Sequence, residues 1–290
     1  MHTNQWLALE TSTDTLSLAV ARSTQTWTHT SAGGALTSTH MIPQTLALLK
    51  EAGLALTDLQ AVVFGRGPGA FTGLRTACSV AQGLAFGADL PVLPIDTLLA
   101  VAEEARAANA LTGAAPVTRV LAVMDARMEQ VYVAAYEFTP NALDVATSVG
   151  ETNLMRGTWR CVQEPELHSP ESLHWPADWS QDSFIAAGNA WPVYAGRWPA
   201  ALTAPQVMAL PTAAALLRLA PAAWAAGEAV PPEEALPLYI RDKVAQTTDE
   251  RMLIKAQQSA LAEQAAQLAQ AAQVNDAAHA QQAVSPTIQP

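Results

Sequence analysis

The sequence predicts an α/β protein built from two related units, and three observations carry that expectation. A β-branched run at 59–64 leads into a glycine-rich loop at 65–73 and then a helical phase at 74–86, the order strand, loop, helix. Two strand pairs, at 6–20 and 120–138, each open with an apolar strand that ends on an acid, Glu10 in the first and Asp125 in the second. The chain has 290 residues, half of them hydrophobic, enough for a sizeable core and for about two domains at ~150 residues each. Fibrous and wholly disordered classes are excluded on the same grounds.

Taken in order, residues 6–10 form an apolar strand, and Leu16, Leu18 and Val20 alternate with small residues in a second. From Met41, apolar residues at Ile42, Leu46, Leu49 and Leu54 keep helical spacing, with Ser38 or Thr39 as cap and Gly53 as the stop. The strand, loop and helix at 59–86 follow, closed by Gly87. A short strand at 91–95 precedes an alanine-rich helix at 97–110, for which Asp96 is the expected N-cap. The second strand pair turns through Ala126, Arg127, Met128 and Glu129. Domain boundaries are expected at 1–110, 111–245 and 246–290, the first falling in a linker at 109–116.

Residues 141–205 are loop-rich yet hold five of the eight tryptophans. Core plugs for an irregular region explain them better than a ligand surface does. A buried strand is expected at 183–187 before Gly188, and a helix at 211–226. From Ala256 onward, 12 alanines and 9 glutamines make a low-complexity tail, a frayed or disordered helix that cannot bury much.

Fifteen Lys and Arg against 26 Asp and Glu leave a formal charge of -11. Phosphate neutralisation needs clustered cations, so any contact with nucleic acid is expected to be indirect. Cys78 and Cys161 give no disulfide framework and point to a reducing compartment. The N-terminus does not read as a secretory signal, and the richest apolar stretch, 210–230, is interrupted by Pro211, Arg218, Pro221 and Glu228. It falls short of the ~20 apolar residues of a membrane span, so the cytoplasm is the expected location.

The loop Gly65, Arg66, Gly67, Pro68, Gly69, Ala70, Phe71, Thr72, Gly73, Leu74, Arg75 is the most informative stretch. Glycines admit close backbone approach, and the following helix offers N–H groups to an anion. It is not a Walker loop, since no Lys-Ser/Thr pair follows Gly73. Gly65, Gly67 and Ala70 match a dinucleotide fingerprint, with Asp89 or Asp96 as ribose acid, but a tight structural turn accounts for the loop at least as well. Glu10 and Asp125 could hold magnesium or activate water, or simply end their strands. The six histidines include no HExxH and no pair at helical i, i+4 spacing, so no metal site is expected. No G-x-S-x-G elbow is present.

Residues 7–12, the loop 65–75, the turn Met124, Asp125, Ala126, Arg127 and the segment Pro237, Leu238, Tyr239, Ile240, Arg241 together resemble the TsaB (YeaZ) family. The resemblance implies an actin-like, Hsp70-like, sugar-kinase-like (ASKHA) α/β fold of two related lobes, followed here by the low-complexity tail. It implies a non-catalytic scaffold needed for threonylcarbamoyl transfer to adenosine 37 of tRNAs reading codons that begin with A. The catalytic paralogue TsaD would be its partner in a heterodimer, the ATPase TsaE would join the assembly, and the protein would form a homodimer when alone. No cofactor is implied. The partner surface would lie on the first two helices, at His40, Ile42, Leu46, Leu74, Ala77, Ala81 and Leu84, with the alanines as a small-residue stripe. Glu10, Thr11 and Asp125 would mark a degenerate nucleotide cleft. Glu10 departs from the Asp typical of the family, and its extra methylene is expected to push the carboxylate further into that cleft. The rival readings are an ATP- and magnesium-using enzyme of the same fold class and a dinucleotide-binding oxidoreductase.

Overall fold

The computed structural model describes residues 4–34, 37–111, 116–140 and 157–241, with the backbone alone at Leu111. Two compact units divide the chain, Met1–Ile240 and Arg241–Pro290. The tail read from the sequence lies outside the described residues, as does part of the linker at 109–116.

The first half runs β1 (Gln5–Glu10), β2 (Thr15–Arg22), β3 (Gln25–Ala32), α1 (Thr37–Glu51), β4 (Ala61–Gly67), α2 (Phe71–Ala88), β5 (Val92–Asp96) and α3 (Thr97–Leu111). The second runs β6 (Arg119–Asp125), β7 (Val131–Pro140), β8 (Gly157–His168), β9 (Ile185–Gly188), β10 (Gln206–Met208) and α4 (Ala213–Ala225). The strands form two five-stranded sheets, ordered β3-β2-β1-β4-β5 and β8-β7-β6-β9-β10. In each, the first three strands are antiparallel and the last two join parallel to the first. The plan is therefore duplicated, and Glu10 and Asp125 close the equivalent strands β1 and β6.

Burial on both faces explains why the central strands read so clearly. On one face of the first sheet, Leu7, Leu9, Leu18 and Phe64 pack against Met41 and Leu48 of α1 and Ala77 and Ala81 of α2. On the other, Trp6, Ala8 and Val63 meet Ala213, Leu216 and Ala220 of α4. The second sheet sets Val120, Ala122 and Tyr136 against Leu98, Val101 and Ala105 of α3. Its far face, with Leu121 and Val133, is covered by Trp179, Phe184, Trp191 and Tyr194, with Trp175 and Trp198 packed around them. Where the first repeat uses α1 and α2, the second uses irregular segments filled by tryptophans, each large ring replacing helical bulk.

The helices α3 and α4 occupy the middle and are tied by charge. Glu103 of α3 is buried, and its carboxylate accepts both Nε and Nη2 of Arg106 at 2.9 Å. It also accepts Arg218 Nε of α4 at 2.8 Å and Trp159 Nε1 of β8 at 3.0 Å. Arg218 reaches Glu104 as well, at 2.7 Å.

Some boundaries differ from the sequence expectation. Helix α1 begins at Thr37, ahead of Ser38 and Thr39. Its end is as read, with Leu54 N–H bonded to Leu49 O and Gly53 at φ 67°. Gly87 does not stop α2, which continues to Ala88 and ends with Asp89 left-handed at φ 54°, Leu90 N–H closing on Ala85 O. Asp96 is the last residue of β5, and its carboxylate takes Nε of Arg66 at 2.5 Å.

Candidate functional site

Glu10 sits at the end of β1 with 1% of its surface exposed. One carboxylate oxygen accepts the Ser12 N–H at 2.6 Å; the other is buried without a partner. Gly65 of β4 lies against that second oxygen so closely that a Cβ there would collide with it. The carboxylate is thus tucked under the glycine loop, and the expected projection of Glu10 into the cleft is corrected: the longer side chain fills the space a Cβ would occupy at residue 65. Thr11 is buried too, its hydroxyl donating to Gly73 O at 2.8 Å, while a Cβ at Gly73 would run into Thr11 O. Ala70 N–H donates to Ser12 O at 2.7 Å. The glycine loop is therefore packed down on the turn after β1.

Its outer side is covered by the segment that carries Tyr239. Leu238 N–H donates to Arg66 O at 2.7 Å, next to Gly67 and the cis Gly67-Pro68 peptide. Tyr239 stacks on Phe71 with ring centroids 4.4 Å apart. Arg75 lies over the Phe71 ring at 4.1 Å and donates Nε to the Tyr239 hydroxyl at 3.2 Å. These contacts leave no pyrophosphate cradle of the dinucleotide type. Gly65 and Gly67 belong to the sheet, Asp89 caps a helix and Asp96 holds Arg66.

A cleft does open beside the loop, lined by Ser12, Asp14, Gly69, Asp125, Arg127 and Asn189 among others, with a volume near 80 Å³. The cleft is small beside ordinary ligand pockets of about 300–1,000 Å³. Asp125 is at its wall, accepting Arg127 N–H and the Tyr194 hydroxyl, both at 2.8 Å. Arg127 extends across to Asp14, with its guanidinium 2.9 and 3.2 Å from the two carboxylate oxygens. Arg127, Met128 and Glu129 are all left-handed, with φ from 53° to 62°. Of the expected cleft residues, then, Asp125 lines it, while Glu10 and Thr11 lie beneath the loop; Gly69 of the glycine loop lines it as well. Asp14, Asn189 and Tyr194 escaped the sequence reading because no local pattern marks residues that only the fold brings to Asp125.

Burial pushes the Glu10 carboxyl above its ordinary range, with hydrogen bonds from Ser12 and the Thr11 backbone opposing the rise. The unfolded chain ionises this group at about 4.3. The stabilising contribution is thus fully present below that pH and is lost as the pH rises through the folded value. Glu10→Gln removes the titration, so thermal melts across mildly acid to mildly alkaline pH should show the variant gaining on the parent as pH increases. A difference that stays constant with pH would refute this.

Of the first two helices, α2 presents a different face from the expected one. His40, Ile42 and Leu46 are exposed as anticipated, the last two at 42% and 50%. Leu74 is instead buried, Ala77 and Ala81 lie in the first core, and Leu84 packs partly against that core. The alanine stripe is corrected on this point: spacing of four marks one helix face without saying which way it turns. The outward face of α2 carries Arg75, Ser79, Gly83, Phe86 and Gly87. Phe86 is 79% exposed, and a Cβ on Gly83 or Gly87 would meet nothing within 4 Å.

A duplicated five-stranded sheet, with α3 and α4 between the copies, places the molecule in the actin-like, Hsp70-like and sugar-kinase-like class of two-lobed α/β proteins. A family profile described as "TsaD: tRNA N6-adenosine threonylcarbamoyltransferase" matches residues 20–285. The tRNA threonylcarbamoyladenosine biosynthesis protein TsaB of Escherichia coli strain K12 is 31% identical over 241 residues, 82% of this chain and 95% of that protein. The protein of the same name from Haemophilus influenzae is 34% identical over 239 residues, covering 82% and 94%. The solved structure of YeaZ from Pseudomonas aeruginosa superposes with a TM-score of 0.67 at 36% identity, covering 81% of this chain and 99% of that one. The chain belongs to the TsaB (YeaZ) family, which is related to TsaD, and its role lies in threonylcarbamoyladenosine modification of tRNA.

Proposed function

We propose that the protein is a non-catalytic subunit that binds and supports TsaD in the cytoplasm, with TsaE joining the assembly, and that it pairs with itself when TsaD is absent. The observation that carries this reading is the outward surface of α1 and α2, with Ile42 and Leu46 exposed on α1 and Phe86 exposed on α2 together with Gly83 and Gly87. Glycine inside a helix costs about 1 kcal/mol relative to alanine, and among the described residues no contact calls for it at either position. Close approach of a partner helix does. Acidity agrees with tRNA being held chiefly by other subunits. Among the described residues no helix is long and apolar enough to cross a membrane.

The test is threonylcarbamoyladenosine formation on tRNA with purified TsaD and TsaE, with this protein omitted, added or supplied alone. Activity is expected only when all three are present; full activity without this protein would overturn the proposal. Phe86→Glu and Gly83→Arg should leave the fold intact and weaken association with TsaD by about tenfold or more, as loss of a buried aromatic anchor costs ~2 kcal/mol or more. Unchanged co-elution of both variants on a sizing column would exclude this surface.

A further inference from the structure

We infer that Glu166, His168 and His174 form a zinc site on the second lobe. Glu166 and His168 are alternate residues at the end of β8, so their side chains leave the strand on the same face. The chain then makes a short 3-10 turn, Pro170–Ser172, and comes back to set the His174 ring edge-on to that of His168, with centroids 4.5 Å apart. One oxygen of Glu166 stands 2.7 Å from Nε2 of His168 and 3.6 Å from Nε2 of His174. The three donor atoms all lie within 4.8 Å of one another.

That spacing suits zinc. Ligands about 2.1 Å from a tetrahedral zinc ion lie roughly 3.4 Å apart. The two oxygen–nitrogen distances straddle this value, so the His168 contact has to open and the His174 contact to close slightly. Room for the adjustment exists, because the side chains of His174 and Glu166 are 56% and 45% exposed. Nδ1 of His174 faces Ser172 O at 3.4 Å. Donation of Nδ1–H there leaves the Nε2 lone pair free for a metal, the usual supporting contact of a ligating histidine. Two imidazoles and one carboxylate select zinc over magnesium, which prefers an all-oxygen shell. Three protein ligands leave a fourth position open to solvent. The ion would clamp the end of β8 to the segment that carries Trp175 and Trp179 into the second core.

The arrangement escaped the search for histidines at helical spacing because it combines strand spacing with a turn. Without metal, the same groups are held by a proton between His168 and Glu166, so the test must separate the two states. Untagged full-length protein, stripped with EDTA, is titrated with zinc chloride near neutral pH by calorimetry and by metal analysis after dialysis. One equivalent per chain and a rise in melting temperature are expected, with magnesium unable to compete. His174→Ala, at an exposed position that leaves the core intact, should weaken binding at least about 100-fold, since loss of mere outer-shell partners already costs 10–100-fold. His168→Ala should do the same, while His40→Ala should bind as the parent does. Absence of zinc binding, or parental affinity in His174→Ala, would overturn the site.

Discussion

Glu103→Ala is expected to lower folding stability by about 3–5 kcal/mol, the cost of breaking a buried ion pair from one side. The carboxylate serves Arg106, Arg218 and Trp159 together, so its loss releases contacts on α3, α4 and β8 at once. Arg106 suffers most. It is buried, stands over the Phe138 ring at 4.3 Å, and has no other carboxylate bonded to it among the described residues. Arg218 keeps Glu104. Urea unfolding of the purified protein measures the change, and Glu103→Gln should recover part of it by accepting hydrogen bonds without the charge. A loss under about 1 kcal/mol would place the network with surface pairs, which contribute little.

Ala81→Arg is expected to abolish folding or to cost about 4 kcal/mol or more, the range reached when a charge is forced into a packed core. Ala81 has no exposed surface and lies among Leu7, Leu9 and Phe64 of the sheet beneath α2. A guanidinium there would have to displace the apolar side chains packed around it. Gly83→Arg, two residues further along and on the outward face, is the matched control and should melt like the parent. Soluble yield and circular dichroism melts compare the two. If Ala81→Arg melts normally, the inward orientation of the stripe is wrong and the partner surface returns to that face.

These two positions show what a linear pattern can and cannot say. The repeat of Ala77, Ala81 and Ala85 correctly marks one face of α2, yet a face packed on its own sheet and a face offered to a partner have the same spacing. Glu103 lies in an alanine-rich helix where only Arg106 is a local partner, and the contacts that make it a hub come from residues 159 and 218. Glu10 was noticed for its place at a strand end, but only the parallel pairing of β1 with β4 sets it under Gly65.

From sequence alone came the α/β class, the duplicated strand pair, the helices α1 to α4 and the family. Central strands bury both faces and helices one, so their apolar period is written locally. The edge strands β3, β8 and β10 were not legible: β3 alternates Thr26, Thr28 and Thr30 with Trp27, His29 and Ser31 but buries none of them fully, β8 mixes arginine and glutamate among its apolar residues, and β10 is only three residues long. Tertiary structure decided the exchange that sends α4 back to the first sheet, the burial of Glu10 and Ala81, and the meeting of Glu166 with His168 and His174. Each depends on contacts between residues far apart in the chain or on the direction a turn takes. Hydrophobic burial is non-directional and reports how much surface must be hidden, while the geometry of packing alone selects what lies against it.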